Sequence, residues 1–161
     1  MSYPLPNYRF EVSLASPEPY QPPSAPTTLR VVRVGAFCDV TGLSGELEVL
    51  AYPEGGQNAF VHQLPGRHTW GRLTLKKGVV LNPILWDWFD SGLNGSLGAR
   101  RDGSVSLRDA DGRLAITWTF RAALAAKWTG PDLAAGGNGA VSIESLEVVH
   151  QGLRRSEAGG G

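Results

Sequence analysis

Residues 40–59 constrain this chain more than any other stretch. They read VTGLSGELEVLAYPEGGQNA, a run that Gly42 and Gly45 open and Pro53, Gly55 and Gly56 close. Between the breaks, Glu46 and Glu48 alternate with Leu47 and Val49, so an extended backbone gives one apolar and one acidic face. A long, exposed, half-apolar arm is better suited to docking another copy than to closing over a substrate.

The rest of the composition fits a globular chain of many short strands. At 161 residues there is one domain's worth of sequence, enough to bury a core without staples. Hydrophobic residues make up 42% and charged residues 19%, while 21 glycines and 11 prolines supply the turns. Fifteen basic residues balance fifteen acidic ones, so no net field draws the chain to nucleic acid or a membrane surface. Cys38 is the single cysteine and cannot close an intrachain disulfide. No apolar run nears the roughly 20 residues of a membrane span, and the N-terminus lacks a basic, then apolar, export pattern. Synthesis in the cytoplasm with no membrane anchor is the expectation.

Alternation predicts a strand over 8–14, with Tyr8, Phe10, Val12 and Leu14 on one face. Five prolines make 15–28 a loop or polyproline-like insertion, and 29–40 is a second strand with a bulge or kink at Gly35. The arm is assigned to 42–60, Leu64-Pro65-Gly66 to a turn, and 68–77 to another strand. A helix is predicted over 82–91: Asn82 caps it, Pro83 fits its first position, Gly92 stops it, and Leu85, Trp88 and Phe89 form its stripe. A flexible turn over 93–103 precedes a hairpin over 104–121 that reverses at Asp111-Gly112, with Ile116, Trp118 and Phe120 on the return strand. After a loop at 131–139, the last strand, 140–150, needs a bulge near Ser145 to bring Val141, Ile143, Leu146 and Val148 to one face. Residues 154–161, without apolar content, are expected to be disordered. About seven strands, one helix and no β–α–β rhythm give a mainly β fold, an antiparallel sandwich or barrel carrying one short helix.

No chemistry-bearing constellation emerges. His62, His68 and His150 lack ligand spacing, so solvated or singly hydrogen-bonded histidines are the simpler reading. Cys38 reads as a small core residue. The acid pairs Glu46/Glu48 and Glu144/Glu147 read as solvated strand faces rather than acid–base pairs. Gly55-Gly56 and Gly136-Gly137 lack the lysine and strand-to-helix context of a phosphate loop. Of the five tryptophans, Trp88 and Trp118 fall on core stripes, which leaves Trp70, Trp86 and Trp128 as interface candidates. Catalytic residues, cofactors and metals are all expected to be absent. What remains is a β protein with unpaired strand edges, and closure across subunits is one way to satisfy them.

Three blocks carry a family resemblance. VTGLSGELEVLAYPEGGQNA, with the following LPG and the LTLKKG at 73–78, resembles the tail tube proteins of contractile phage tails and extracellular contractile injection systems. NPILWDWF at 82–89 is similar to that family's helix start. WTFRAALAAKWTGPDLAAGGNGAVSIESLEVVHQGL at 118–153 is similar to its C-terminal signature. Two stretches depart from the family's pattern: Arg121-Ala122-Ala123-Leu124 replaces a proline-containing break, and 15–28 is a longer early loop.

The resemblance implies a single tail-tube-like domain over 1–153, whose copies form hexameric rings around an inter-subunit β-barrel. Rings stack into a hollow tube inside a contractile sheath, with a baseplate hub and tube-terminating proteins as further partners and protein or DNA as cargo in the lumen. It places Gly42, Leu43, Glu46, Tyr52, Gly55, Gly56 and Asn58 in the self-assembly arm. Leu75, Lys77 and Gly78 fall in the central strand, Trp86 and Trp88 in the helix, and Glu144, Leu146 and His150 in the last strand. The implied particle is a phage tail or tail-like machine, extracellular after release. A tube-initiating paralogue at the baseplate is the alternative within the family. From another class, a monomeric β-sandwich module binding a glycan or peptide through exposed tryptophans stays open.

Overall fold

The computed structural model describes residues 5, 10–15, 31–34, 37–56, 58–79, 83–93, 100–137, 139 and 141–158. The proline-rich loop beyond Ala15, the Gly35 bulge, the Asn82 cap, most of the 93–103 turn and the Cys38 side chain lie outside that description. The strands are β1 (Phe10–Ala15), β2 (Val31–Val34), β3 (Phe37–Thr41), β4 (Gly45–Tyr52), β5 (His62–Trp70), β6 (Leu73–Gly78), β7 (Arg101–Arg108), β8 (Leu114–Thr129), β9 (Ile143–Val149) and β10 (Leu153–Glu157); one helix, α1, spans Ile84–Leu93. Every pairing between them is antiparallel. The mainly β class expected from the alternation holds.

Eight strands form one sheet in the order β2-β1-β7-β8-β9-β6-β3, with β10 also on β8. Strand β8 holds it together because it serves two neighbourhoods. Its first half pairs with β7 on one edge and β10 on the other; its second half pairs with β9. The apolar faces of both neighbourhoods then meet in one core. Val12, Leu14, Val105 and Phe120 come from one side, and Leu73, Leu75, Leu146 and Val148 from the other. Helix α1 packs against β8 and adds Leu85 and Trp88, both fully buried. Fully burying side chains of this size stabilises by about 1.5–3 kcal/mol each.

Of the strand expected over 8–14, residues 10–14 lie in β1; the hairpin expected over 104–121 is present, and the Asp111-Gly112 reversal is well made. Gly112 has φ 82°, its N–H reaches the Asp109 carbonyl at 3.0 Å, and Asp109 Oδ1 accepts from the Asp111 and Arg113 N–H groups. Several expectations need correction. Strand β8 does not stop at 121 but runs to Thr129, turning at Ala122, a non-glycine residue at φ 49°. Ala122 keeps both backbone groups bonded, its N–H to Asp102 Oδ1 at 2.8 Å and its carbonyl to Arg100 at 3.2 Å. The break expected of a proline is thus made by a left-handed alanine.

The helix starts and ends two residues later than 82–91, and Gly92 lies inside it rather than stopping it. Strand β9 has no bulge at Ser145, since its register with β6 is unbroken from Ile143 to Val148. Glu144 therefore shares the buried face with Leu146 and Val148, while Ile143 and Val141 point outward. Directly opposite Glu144 stands Lys77; the two are 6% and 4% exposed, and the Trp128 indole N–H donates to Glu144 Oε2 at 3.1 Å. Finally, residues 154–157, expected to be disordered, belong to β10. A strand needs backbone partners rather than apolar side chains, and β8 supplies them.

Candidate self-assembly surface

The arm is a complete hairpin. Strand β4 returns through β5, so residues 62–70 belong to it, and the expected strand at 68–77 is divided between β5 and β6. Leu64-Pro65-Gly66 is not a turn. Pro65 pairs with Val49 inside β5, and the register shifts just beyond, where a Cβ on Gly66 would meet the Glu48 carbonyl at 3.0 Å. Proline is tolerated there because a two-stranded sheet is all edge.

The pairing fixes which side chains share a face. Glu46, Glu48, Leu50 and Tyr52 lie with Thr69, Leu64 and His62; Leu47, Val49 and Ala51 lie with His68, Pro65 and Gln63. The acidic face expected from Glu46 and Glu48 therefore becomes apolar towards the tip. At the tip, Glu54 and His62 are 2.8 Å apart, and Phe60 sits edge-on to the His62 ring at 5.1 Å. Every residue of β4 is exposed. Tyr52 and Phe60 are 57% and 55% exposed, and among the described residues the hairpin forms a two-stranded sheet of its own.

The sequence-predicted residues divide between the two ends of this hairpin. Gly42 and Leu43 form its root. Gly42 has φ 89°, and a Cβ there would collide with the Arg72 carbonyl oxygen. Glu46 and Tyr52 lie on one β4 face, and Gly55, Gly56 and the exposed Asn58 form the tip. A Cβ on either tip glycine, unlike one on Gly42, would meet nothing of its own chain within 4 Å.

Residues that no local pattern marks hold the root. Trp70 packs over Gly45, and a Cβ on Gly152 would lie 3.5 Å from its indole nitrogen. The Gly71 N–H donates to the Ser44 carbonyl at 3.0 Å. His150 accepts from the Gly152 N–H at Nδ1, 3.2 Å away, which assigns its ring proton to Nε2, donating to the Gly71 carbonyl at 3.1 Å. A histidine expected to be solvated or singly bonded thus ties the arm to the β9–β10 break. Of the three open tryptophans, Trp70 serves the root, and Trp86 stacks edge-on against Trp128 at 4.8 Å. Among the described residues, no group of three His, Cys, Asp or Glu side chains is placed to hold a metal ion. Among the described residues, no helix is long and apolar enough to cross a membrane.

Comparison with known proteins adds three findings. The model of the family described as T4-like virus tail tube protein gp19 matches residues 6–154. Among solved structures, a chain of the anti-feeding prophage baseplate shares 30% identity over 99% of each chain, with a TM-score of 0.80. A chain of the sheath–tube complex of PVC, an extracellular contractile injection system, in its extended state shares 24% identity over 97% of this chain and 93% of that one, with a TM-score of 0.75. Hcp1 from Flavobacterium johnsoniae has the same fold at 16% identity, covering 94% of this chain and 96% of its own, with a TM-score of 0.52. No curated protein matches.

Proposed function

The chain belongs to the T4-like virus tail tube protein family, and on that premise we propose that it is a structural, non-enzymatic subunit that forms hexameric rings stacking into the hollow inner tube of a contractile tail or injection system. The carrying observation is the β4–β5 hairpin. A two-stranded hairpin is marginal in water by itself, and this one exposes apolar side chains on both faces and has no layer packed on it. Contact with another ring supplies the missing layer, so Gly42, Leu43, Glu46, Tyr52, Gly55, Gly56 and Asn58 act as its assembly residues. Within a ring, edge strands pair between copies, and polar strand faces line a water-filled channel for protein or DNA cargo. Sheath, baseplate hub and tube-terminating proteins are the outer partners. Synthesis is in the bacterial cytoplasm, and the assembled particle is released from the cell.

Replacing Glu46–Thr69 by a short turn removes both arm strands and leaves the core residues in place. The expected product is folded and soluble, with no tubes in negative-stain images. Tubes of normal length would refute the arm's role.

A second reading has its own support. The baseplate chain shares 30% identity with this one, against 24% for the sheath–tube complex and 22% for the anti-feeding prophage cap. This favours a tube-initiating paralogue that joins tube to baseplate. Expression alone separates the two readings: a major subunit gives long tubes, an initiator single rings.

A further inference from the structure

Beside the arm root lies a recess of about 490 Å³. Trp70 at the end of β5 forms one wall, Arg121 and Asp102 another, and Gln151 and Arg154 a third. Two exposed arginines face one carboxylate there, and that carboxylate is already engaged by the Ala122 N–H. The recess therefore offers cations and an indole, a surface suited to a carboxylate or an aromatic ring.

We propose that this recess receives the arm tip of a second copy, Glu54 meeting the two arginines and the exposed Tyr52 or Phe60 ring meeting Trp70. The proposal rests on the reading of the chain as a self-assembling tube subunit. Reach rules out the chain's own tip. The eight residues of β4, rising about 3.3 Å each, carry it roughly 26 Å from the root. Chemistry fits as well: the tip displays Tyr52, Phe60 and Glu54 to solvent, and Glu54 Oε2 bonds His62 at the exposed edge, so the arginines would join or replace that contact. The tip backbone is also bare. Gly55 has no positive φ, and a Cβ there would meet nothing of its own protomer within 4 Å, so neither backbone conformation nor space inside the protomer calls for glycine. A glycine lets another backbone approach closely.

Two experiments on the full-length protein test this. The first reverses charge: Arg121→Glu with Arg154→Glu should leave rings intact but cut the pelletable tube fraction at least tenfold, and adding Glu54→Arg should restore much of it. The second pairs Gly55→Cys with Gln151→Cys, which should give disulfide-linked ladders on non-reducing gels of pelleted tubes, with the native single-cysteine chain as control. Tubes unaffected by the double charge reversal, or pelleted tubes without ladders, would overturn the recess as receptor. The arm deletion keeps the two ideas apart. If that deletion abolishes tubes while the charge reversal does not, the arm still stacks rings but lands elsewhere; if it spares them, the assembly role of the arm is lost.

Discussion

Lys77 and Glu144 are the two charges this core contains among its described residues, and they stand opposite each other across β6 and β9. Glu144→Ala leaves the Trp128 N–H without its acceptor and removes the carboxylate opposite Lys77, a loss of about 1–3 kcal/mol. Glu144→Leu combined with Lys77→Met removes both charges at similar volume and should come within about 1 kcal/mol of the parent. Urea denaturation of dilute, unassembled protein checks both, and a Glu144→Ala variant as stable as the parent would show that the buried carboxylate contributes nothing measurable to stability. This pair also marks a limit of alternation as a guide. Period two sorts a strand into two faces but does not say which face is buried. Apolar bias assigned Ile143 and Val141 to the core and required a bulge at Ser145. The chain instead buries Glu144, where the Trp128 N–H bonds its carboxylate and Lys77 stands opposite it in the register. Val12, Leu14, Leu73, Leu75, Leu85 and Trp88 were legible because their pattern and their burial agree. Arg101 extends the theme of charge against the core. Its guanidinium lies 5.6 Å from the Trp88 ring centre, burial draws its pKa below the usual arginine value, and Asp87 opposes that shift.

At the scale of elements, the arm is a hairpin whose stability is borrowed. Among the described residues it is anchored at the root: Trp70 against Gly45 and Gly152, the Gly71–Ser44 bond, and the two bonds of His150. Amide hydrogens of β4 and β5 should therefore exchange within seconds to minutes in dilute protein, while those of β6 and β9 are protected near the global limit. Assembly into tubes should slow exchange along the arm by orders of magnitude, and mass spectrometry of dilute and pelleted samples reads the difference. An arm already as protected as β6 in the unassembled protein would contradict this picture. His150→Ala removes two hydrogen bonds, worth about 1–2 kcal/mol together, and should speed exchange at the root without exposing the core. Half of this element was readable in advance. Residues 42–60 carry their own turn signals and alternation, but Leu64-Pro65-Gly66 imitates a turn and conceals the return strand. The tail was misread in the same way: Arg154–Glu157 offers no apolar pattern, and its pairing depends on β8, more than thirty positions earlier.

For the whole molecule, the decisive quantity is the apolar surface the protomer leaves uncovered. Leu47, Val49, Leu50, Tyr52, Phe60 and Leu64 are all exposed on one projecting element, a concentration beyond what a monomer scatters singly over its surface. The chain is also neutral overall, so charge repulsion does little to keep copies apart. Mass action then makes stability depend on concentration, because assembly holds the folded state and not the unfolded one. For each interface lost on unfolding, a tenfold rise in protein adds about 1.4 kcal/mol, which for a domain of this size lifts the melting temperature by roughly 3–5 °C. Calorimetry or fluorescence from micromolar to near-millimolar protein should trace that rise. The same series on the Glu46–Thr69 replacement should rise less steeply, retaining only contacts within a ring. A monomeric binding module behaves differently, with one melting temperature at every concentration and a particle near 17.2 kDa throughout. Those two results together would remove the tube from consideration, because copies that never meet cannot enclose a channel.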